Sequence, residues 1–179
     1  DSEDGQAQLC GEHVMKMDKE EAKKQDYLAF LNGVKEEDLD FVDQIDQALA
    51  EKGYGREIKA AKSGFVVSYK GGAAKHTLFN YVFRKTGMLM RLYGEHAKDY
   101  QDLLDSLPED MKKRIRKAGP CKRLLDPSAC SSRCSMGYVF QLEGEQQVKC
   151  RYNAFLLPVT EESKPYLQMM LEREVAFRG

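Results

Sequence analysis

The spacing of apolar residues along this chain changes period several times, and each change marks an element. From Asp18 the pattern is helical: Ala22, Tyr27, Leu28 and Leu31 fall on one stripe, Asp18 stands at the cap position with Glu21 three residues on, and Gly33 ends the run. A second helix is predicted from about Glu36 to Lys52, with Phe41, Val42, Ile45, Ala48 and Leu49 on its buried face and Gly53 as the stop. The two form a helical hairpin.

The period shortens at Gly64. Phe65-Val66-Val67-Ser68-Tyr69 reads as a strand that ends at Gly71-Gly72, and residues 77–84 and 88–93 read as a hairpin around Lys85-Thr86-Gly87. With Arg84 opposite Met88, that hairpin divides into one face with Leu78, Asn80, Val82, Met90 and Leu92 and another with Phe79, Tyr81, Phe83, Leu89, Arg91 and Tyr93. Helical spacing returns over residues 95–104 and 108–119. Residues 138–142 and 147–157 form a second hairpin, and Thr160-Glu161-Glu162 opens a last helix. The order ααβββααββα predicts an α+β fold, an antiparallel sheet of about five strands covered by helices. Tyr81-Val82-Phe83 and Tyr138-Val139-Phe140 each open a ββα unit, so the two hairpins are expected in one sheet. Residues 1–17 lack periodicity and are expected to be a flexible arm, leaving 18–179 as a single α/β domain with a cysteine-bearing loop at 120–137.

Composition narrows the function classes. The chain has 28 Lys and Arg against 29 Asp and Glu, so it has no general positive field for phosphate backbones and nucleic acid is disfavoured as a partner. No stretch approaches the roughly 20 apolar residues of a membrane span, and the expected location is the cytoplasm. Among the 179 residues there is no Gly-rich phosphate loop, nucleophile elbow or HExxH, and His13, His76 and His96 are too dispersed to form a metal cluster.

From Tyr27 to Ile115, the helix order, the run Lys62-Ser63-Gly64-Phe65-Val66-Val67-Ser68-Tyr69 and the hairpin ending in Arg91-Leu92-Tyr93-Gly94 resemble the small bacterial YdhG-like and MmcQ/YjbR-like domains. The resemblance covers about half the chain. It implies an α/β fold and carries over no catalytic residues, and the cysteine-bearing segment after Gly119 has no counterpart in it.

Two candidate sites remain. Arg91 and Tyr93 share a strand face, and the Gly94 turn leads to His96, so the three are expected to line a site for an anionic or aromatic small ligand. This supports a non-catalytic domain that binds a small molecule or a protein and needs no cofactor. The alternative lies in Cys121, Cys130, Cys134 and Cys150, spaced C-x8-C-x3-C-x15-C, which are a zinc set by residue type but lack the close C-x2-C pairs of zinc ribbons. Pairing Leu142 with Val148 sets Phe140 opposite Cys150 and Tyr138 opposite Tyr152; Cys150 is then a buried core residue, and only a fold-back at Gly137 could bring Cys134 to it. Lys122, Arg123 and Arg133 beside the thiols leave open a thiol- or zinc-dependent enzyme built on the 121–134 loop. A single-stranded nucleic-acid binder that stacks bases on the aromatic and basic sheet face is the third reading.

Overall fold

The computed structural model describes residues 3–179, with side chains from Val14 onward. The side chains of the expected arm before Val14, Cys10 and His13 among them, lie outside the described residues. The first helix, α1 (Glu3–Asn32), begins well before Asp18, which therefore lies within the helix instead of capping it. Residues 14–26 are exposed, whereas Phe30 is fully buried, so α1 joins the core only at its C-terminal end. The helix stops where Gly33 N–H bonds to the Phe30 carbonyl, and α2 (Glu36–Glu51) runs back with Phe41, Val42, Ile45 and Leu49 buried.

The five-stranded antiparallel sheet has the order β1-β2-β3-β4-β7: β1 (Gly55–Ala61), β2 (Gly64–Gly71), β3 (His76–Arg84), β4 (Gly87–Leu92) and β7 (Leu156–Pro158). Between β4 and β7 the chain forms a 3-10 turn (Ala97–Asp99), three helices, α3 (Gln101–Asp105), α4 (Glu109–Lys117) and α5 (Lys122–Leu125), and a hairpin of β5 (Tyr138–Leu142) and β6 (Glu145–Lys149). The last helix is α6 (Lys164–Arg178).

Three expectations about the strands are corrected. The second hairpin does not share the main sheet: β5 and β6 pair only with each other, and the short β7 takes the edge beside β4. The first hairpin slips by one residue, because Arg84 pairs with Gly87 across a two-residue turn, Lys85-Thr86. Gly87 adopts φ 128, which lets a glycine close the turn one residue early. A one-residue slip exchanges strand faces. Tyr81 therefore pairs with Met90 and Phe79 with Leu92, while Arg91 pairs with Asn80. In the second hairpin Glu143 and Gly144 take φ 51 and φ 80, the left-handed pair of a tight two-residue turn, and Tyr138 pairs with Lys149.

Val67, Tyr69, Phe79, Tyr81, Met90, Leu92 and Leu157 fall on one face of the sheet and are all buried. Tyr69 stacks on Phe79 at 4.8 Å between ring centroids, Tyr81 stands edge-on to Phe79 at 5.0 Å, and Phe30 of α1 stacks on Tyr81 at 5.8 Å. Asp46 of α2 accepts from the Tyr69 hydroxyl at 2.7 Å and pairs with Arg56 at 2.6 Å. With Leu167, Met170 and Leu171 of α6, these residues belong to one hydrophobic core that extends to Tyr138, Phe140, Leu142 and Phe155. Helices α1 and α2 thus pack on this face, and Asn80 and Arg91 lie on the other.

Among the described residues no helix is long and apolar enough to cross a membrane.

Candidate functional site

The opposite face of β3 and β4 carries a polar cluster built by the observed register. Pairing places Asn80 beside Arg91, and strand alternation adds Tyr93 just past the end of β4. Arg91 donates from Nε to the Tyr152 carbonyl at 2.8 Å and from Nη1 to Asn80 Oδ1 at 3.4 Å. Asn80 in turn donates to the Tyr93 hydroxyl at 3.4 Å. Tyr152 stands edge-on to Tyr93 at 6.1 Å between centroids, and the Arg151 guanidinium lies 5.6 Å from the Tyr93 ring. Asn80 and Tyr93 are buried, Arg91 is partly buried, and Tyr152 is 47% exposed.

The charge balance of this cluster is uneven. Among the described residues Arg91 forms no ion pair, and both its hydrogen bonds go to neutral oxygens. Arg151, by contrast, reaches Glu95 at 3.4 Å. Two of the five guanidinium N–H groups of Arg91 are engaged, leaving donors for a ligand.

His96 does not join the cluster. Its ring stacks on Phe177 of α6 at 5.5 Å, its Nδ1 lies 3.7 Å from Asp99, and its backbone N–H donates to Glu174 at 2.9 Å. Glu174 is fully buried and also accepts from the Tyr100 hydroxyl at 2.6 Å and from Arg178 Nε at 3.2 Å. Three donors satisfy that carboxylate, so it is a structural brace between α6 and the chain after β4. Burial, then the Glu174 charge, pushes the Tyr100 phenol far above its usual range. It stays neutral, as a hydrogen-bond donor must.

The second cluster surrounds a cavity of about 520 Å³ beneath the 119–137 loop. Its lining includes Cys121, Cys130, Cys134 and Cys150 together with Lys122, Arg123, Arg133 and Arg151, and it contains no carboxylate. Cys150 is not the buried strand residue expected: β6 ends at Lys149, so Cys150 lies beyond the strand and is partly exposed. Tyr152 does not oppose Tyr138, because the register differs by three residues. At Gly137 the chain lies against Cys121 and Lys149. Gly137 N–H donates to Cys121 Sγ at 3.3 Å, and a Cβ at Gly137 would stand 2.8 Å from Cys121 Cβ and collide with the Lys149 carbonyl. Only glycine allows the returning chain to lie so close. Arg123 donates to the Cys134 carbonyl, and Arg151 donates to the carbonyl of Met136, which holds φ 71. Among the described residues no three His, Cys, Asp or Glu side chains are gathered tightly enough to hold a metal ion as they stand, and the four described cysteines are free thiols.

Arg151 and Tyr152 belong to both clusters, since they line the cavity and also touch Tyr93. Sequence reasoning missed Asn80, Arg151 and Tyr152 as partners of Arg91. Correct hairpin registers would have found Asn80, but the loop that carries Tyr152 to Arg91 has no periodic signal. No family model, curated protein or solved structure matches the chain.

Proposed function

We propose that this protein is a non-catalytic binding domain whose ligand is a small anion carrying a flat ring, taken at Arg91. The observation that carries this reading is a partly buried arginine without a carboxylate partner among the described residues. Removing a guanidinium from water is costly unless an opposite charge compensates, and here neutral oxygens position the group without neutralising it. A ligand carboxylate or phosphate supplies the missing charge through the free N–H donors. The exposed ring of Tyr152, whose own carbonyl holds Arg91, offers a planar group a surface beside it. A cytoplasmic bacterial domain of YdhG-like or MmcQ/YjbR-like type fits this role.

The test is calorimetric titration with inorganic phosphate and with adenosine monophosphate, on the wild type and on Arg91→Ala. The nucleotide should bind more tightly than phosphate alone. Arg91→Ala should weaken binding about ten- to a hundredfold, matching the 1.5–3 kcal/mol of lost charge-assisted contacts, with little change in melting temperature. Equal binding by wild type and variant would remove Arg91 from the site. Preference for single-stranded DNA, with affinity falling steeply as salt rises, would move the reading to nucleic acid.

A further inference from the structure

The cavity beneath the 119–137 loop, at about 520 Å³, falls within the roughly 300–1,000 Å³ common for small-molecule sites. Part of its wall is fixed by backbone. Pro120 forms an isolated antiparallel bridge with Lys149, flanked by the hydrogen bonds Cys121 N–H to the Val148 carbonyl at 3.3 Å and Cys150 N–H to the Gly119 carbonyl at 2.9 Å. Lys122, Arg123, Arg133 and Arg151 line the same cavity, and no carboxylate joins them there. Arg151 is offset by Glu95 at 3.4 Å. Among the described residues Lys122, Arg123 and Arg133 form no ion pair, and Asp126, a carboxylate of the same loop, is engaged by Ser128, whose backbone N–H donates to it at 3.1 Å. Arg123 is the most constrained of the three cations. It is partly buried, it donates from Nη1 to the Cys134 carbonyl, and its Nε is closed off from solvent without an acceptor. A guanidinium in that position has given up hydration for one neutral oxygen, and its charge is uncompensated.

From this arrangement we propose that the cavity is a second anion site, taking a phosphorylated ligand through a diphosphate group. Three positive charges without a partner exceed what one carboxylate neutralises, whereas a single phosphate monoester brings about −1.5 to −2 at pH 7 and a diphosphate more. The arginine fork matches two phosphate oxygens at once, and the lysine adds charge without fixing geometry. Like charges around a concave, low-dielectric wall focus their field into it, so the cavity attracts an anion although the chain as a whole is nearly neutral. This site goes beyond the one proposed at Arg91. Arg91 is not part of its lining, although Arg151 and Tyr152 border both.

The experiment titrates the full chain with pyrophosphate by calorimetry, alongside Arg91→Ala and the double variant Lys122→Ala with Arg133→Ala. Both side chains of the double variant are exposed and form no hydrogen bond among the described residues, so the fold should not depend on them. The wild type and Arg91→Ala should bind pyrophosphate alike, and the double variant at least tenfold more weakly with an unchanged melting temperature. Bound pyrophosphate should also slow alkylation of Cys134 by iodoacetamide, because Cys134 lines the cavity. Sedimentation with phosphatidylcholine vesicles containing phosphatidylinositol bisphosphate separates two sources of such a group. Co-sedimentation that the double variant loses assigns it to a lipid headgroup, and pyrophosphate binding without co-sedimentation assigns it to a soluble molecule. Absence of pyrophosphate binding, equal binding by the double variant, or binding lost in Arg91→Ala would overturn the inference. So would unchanged alkylation of Cys134 at saturating pyrophosphate. Arg91→Ala tests one site and the double variant the other, so the two readings fail separately.

Discussion

The sheet with its helices and the 119–137 loop are built on different physical terms. In the sheet, Tyr69, Phe79, Tyr81, Phe30, Met90 and Leu92 bury nearly all of their surface against one another, and the hydrogen-bond ladder satisfies the backbone between them. Between residues 119 and 137 Cys121 is the one buried hydrophobic residue, while Leu124 and Leu125 are exposed, the latter at 68%. The loop is held by hydrogen bonds within it and by polar ties such as Gly137 to Cys121, Arg123 to Cys134 and Arg151 to Met136. Each such tie contributes about 1 kcal/mol, too little to offset the entropy of ordering a loop of this length. The first region is stable by burial alone. The second has few buried contacts, and the cysteines and basic side chains that line its cavity lie in this lightly packed part of the fold.

The largest break of this contrast is a cavity in the packed region. Leu103 on α3 is buried within 5% of complete, next to the fully buried Leu104, and α3 lies against β5. Leu103→Ala should cost about 2–5 kcal/mol in a denaturant melt. A loss below roughly 1 kcal/mol would show that this helix can yield without cost, and would shrink the region that burial stabilises.

Gly137→Ala sharpens the contrast from the loop side. Its added methyl meets backbone, the Lys149 carbonyl, which cannot rotate away as a flexible side-chain end could. The expected cost is about 1–3 kcal/mol, confined to the loop. Hydrogen exchange should rise at residues 121–137 and stay unchanged in β2, β3 and β4. Faster exchange throughout the sheet would mean that the loop and the sheet form one cooperative unit.

The same contrast explains what could be read from sequence. Helical stripes such as Phe41, Val42, Ile45 and Leu49, and the aromatic strands 77–84 and 88–93, encode burial directly, and those elements are observed. Strand β1, GREIKAA, shows no clear alternation because it lies at the sheet edge with most of its residues exposed. The three-residue β7 is too short to show a period. The face assignment of Arg91 turned on whether Gly87 closes the loop or opens the strand, a choice that one residue of turn geometry decides. Arg91 and Tyr93 both bond to Asn80, and finding Asn80 and Tyr152 as partners requires the register and the loop path. That the four cysteines line one cavity depends on the path of the chain through Gly137, which no repeating pattern announces.

The smallest expected effect concerns the polar seam that joins α4 to the β5–β6 hairpin, between the two regions. Glu143 at the hairpin turn pairs with Lys112 and, at 2.6 Å, with Arg116, while Lys149 caps the end of α4 by donating to the Arg116 and Ala118 carbonyls at 2.7 and 3.0 Å. The Lys112 hydrogen bond, followed by the Lys112 and Arg116 charges, holds the Glu143 carboxyl below its usual range. A carboxyl whose folded pKa is depressed adds stability above its unfolded pKa, and that stability is lost as the pH falls through the folded value. The Lys112 ammonium is raised by its bond to Glu143, so its contribution is present below its unfolded pKa and lost only in strong base. The pair therefore acts from mildly acidic pH upward. Glu143→Gln should lower the melting temperature slightly at pH 7, and the deficit should shrink on acidification below the ordinary carboxyl pKa of about 4.3, until the two melting curves meet. High salt at pH 7 should shrink the same deficit, since Glu143 and its second partner Arg116 are partly exposed. A deficit that persists unchanged into acid would show that Glu143 acts through the shape of its turn and not through its charge.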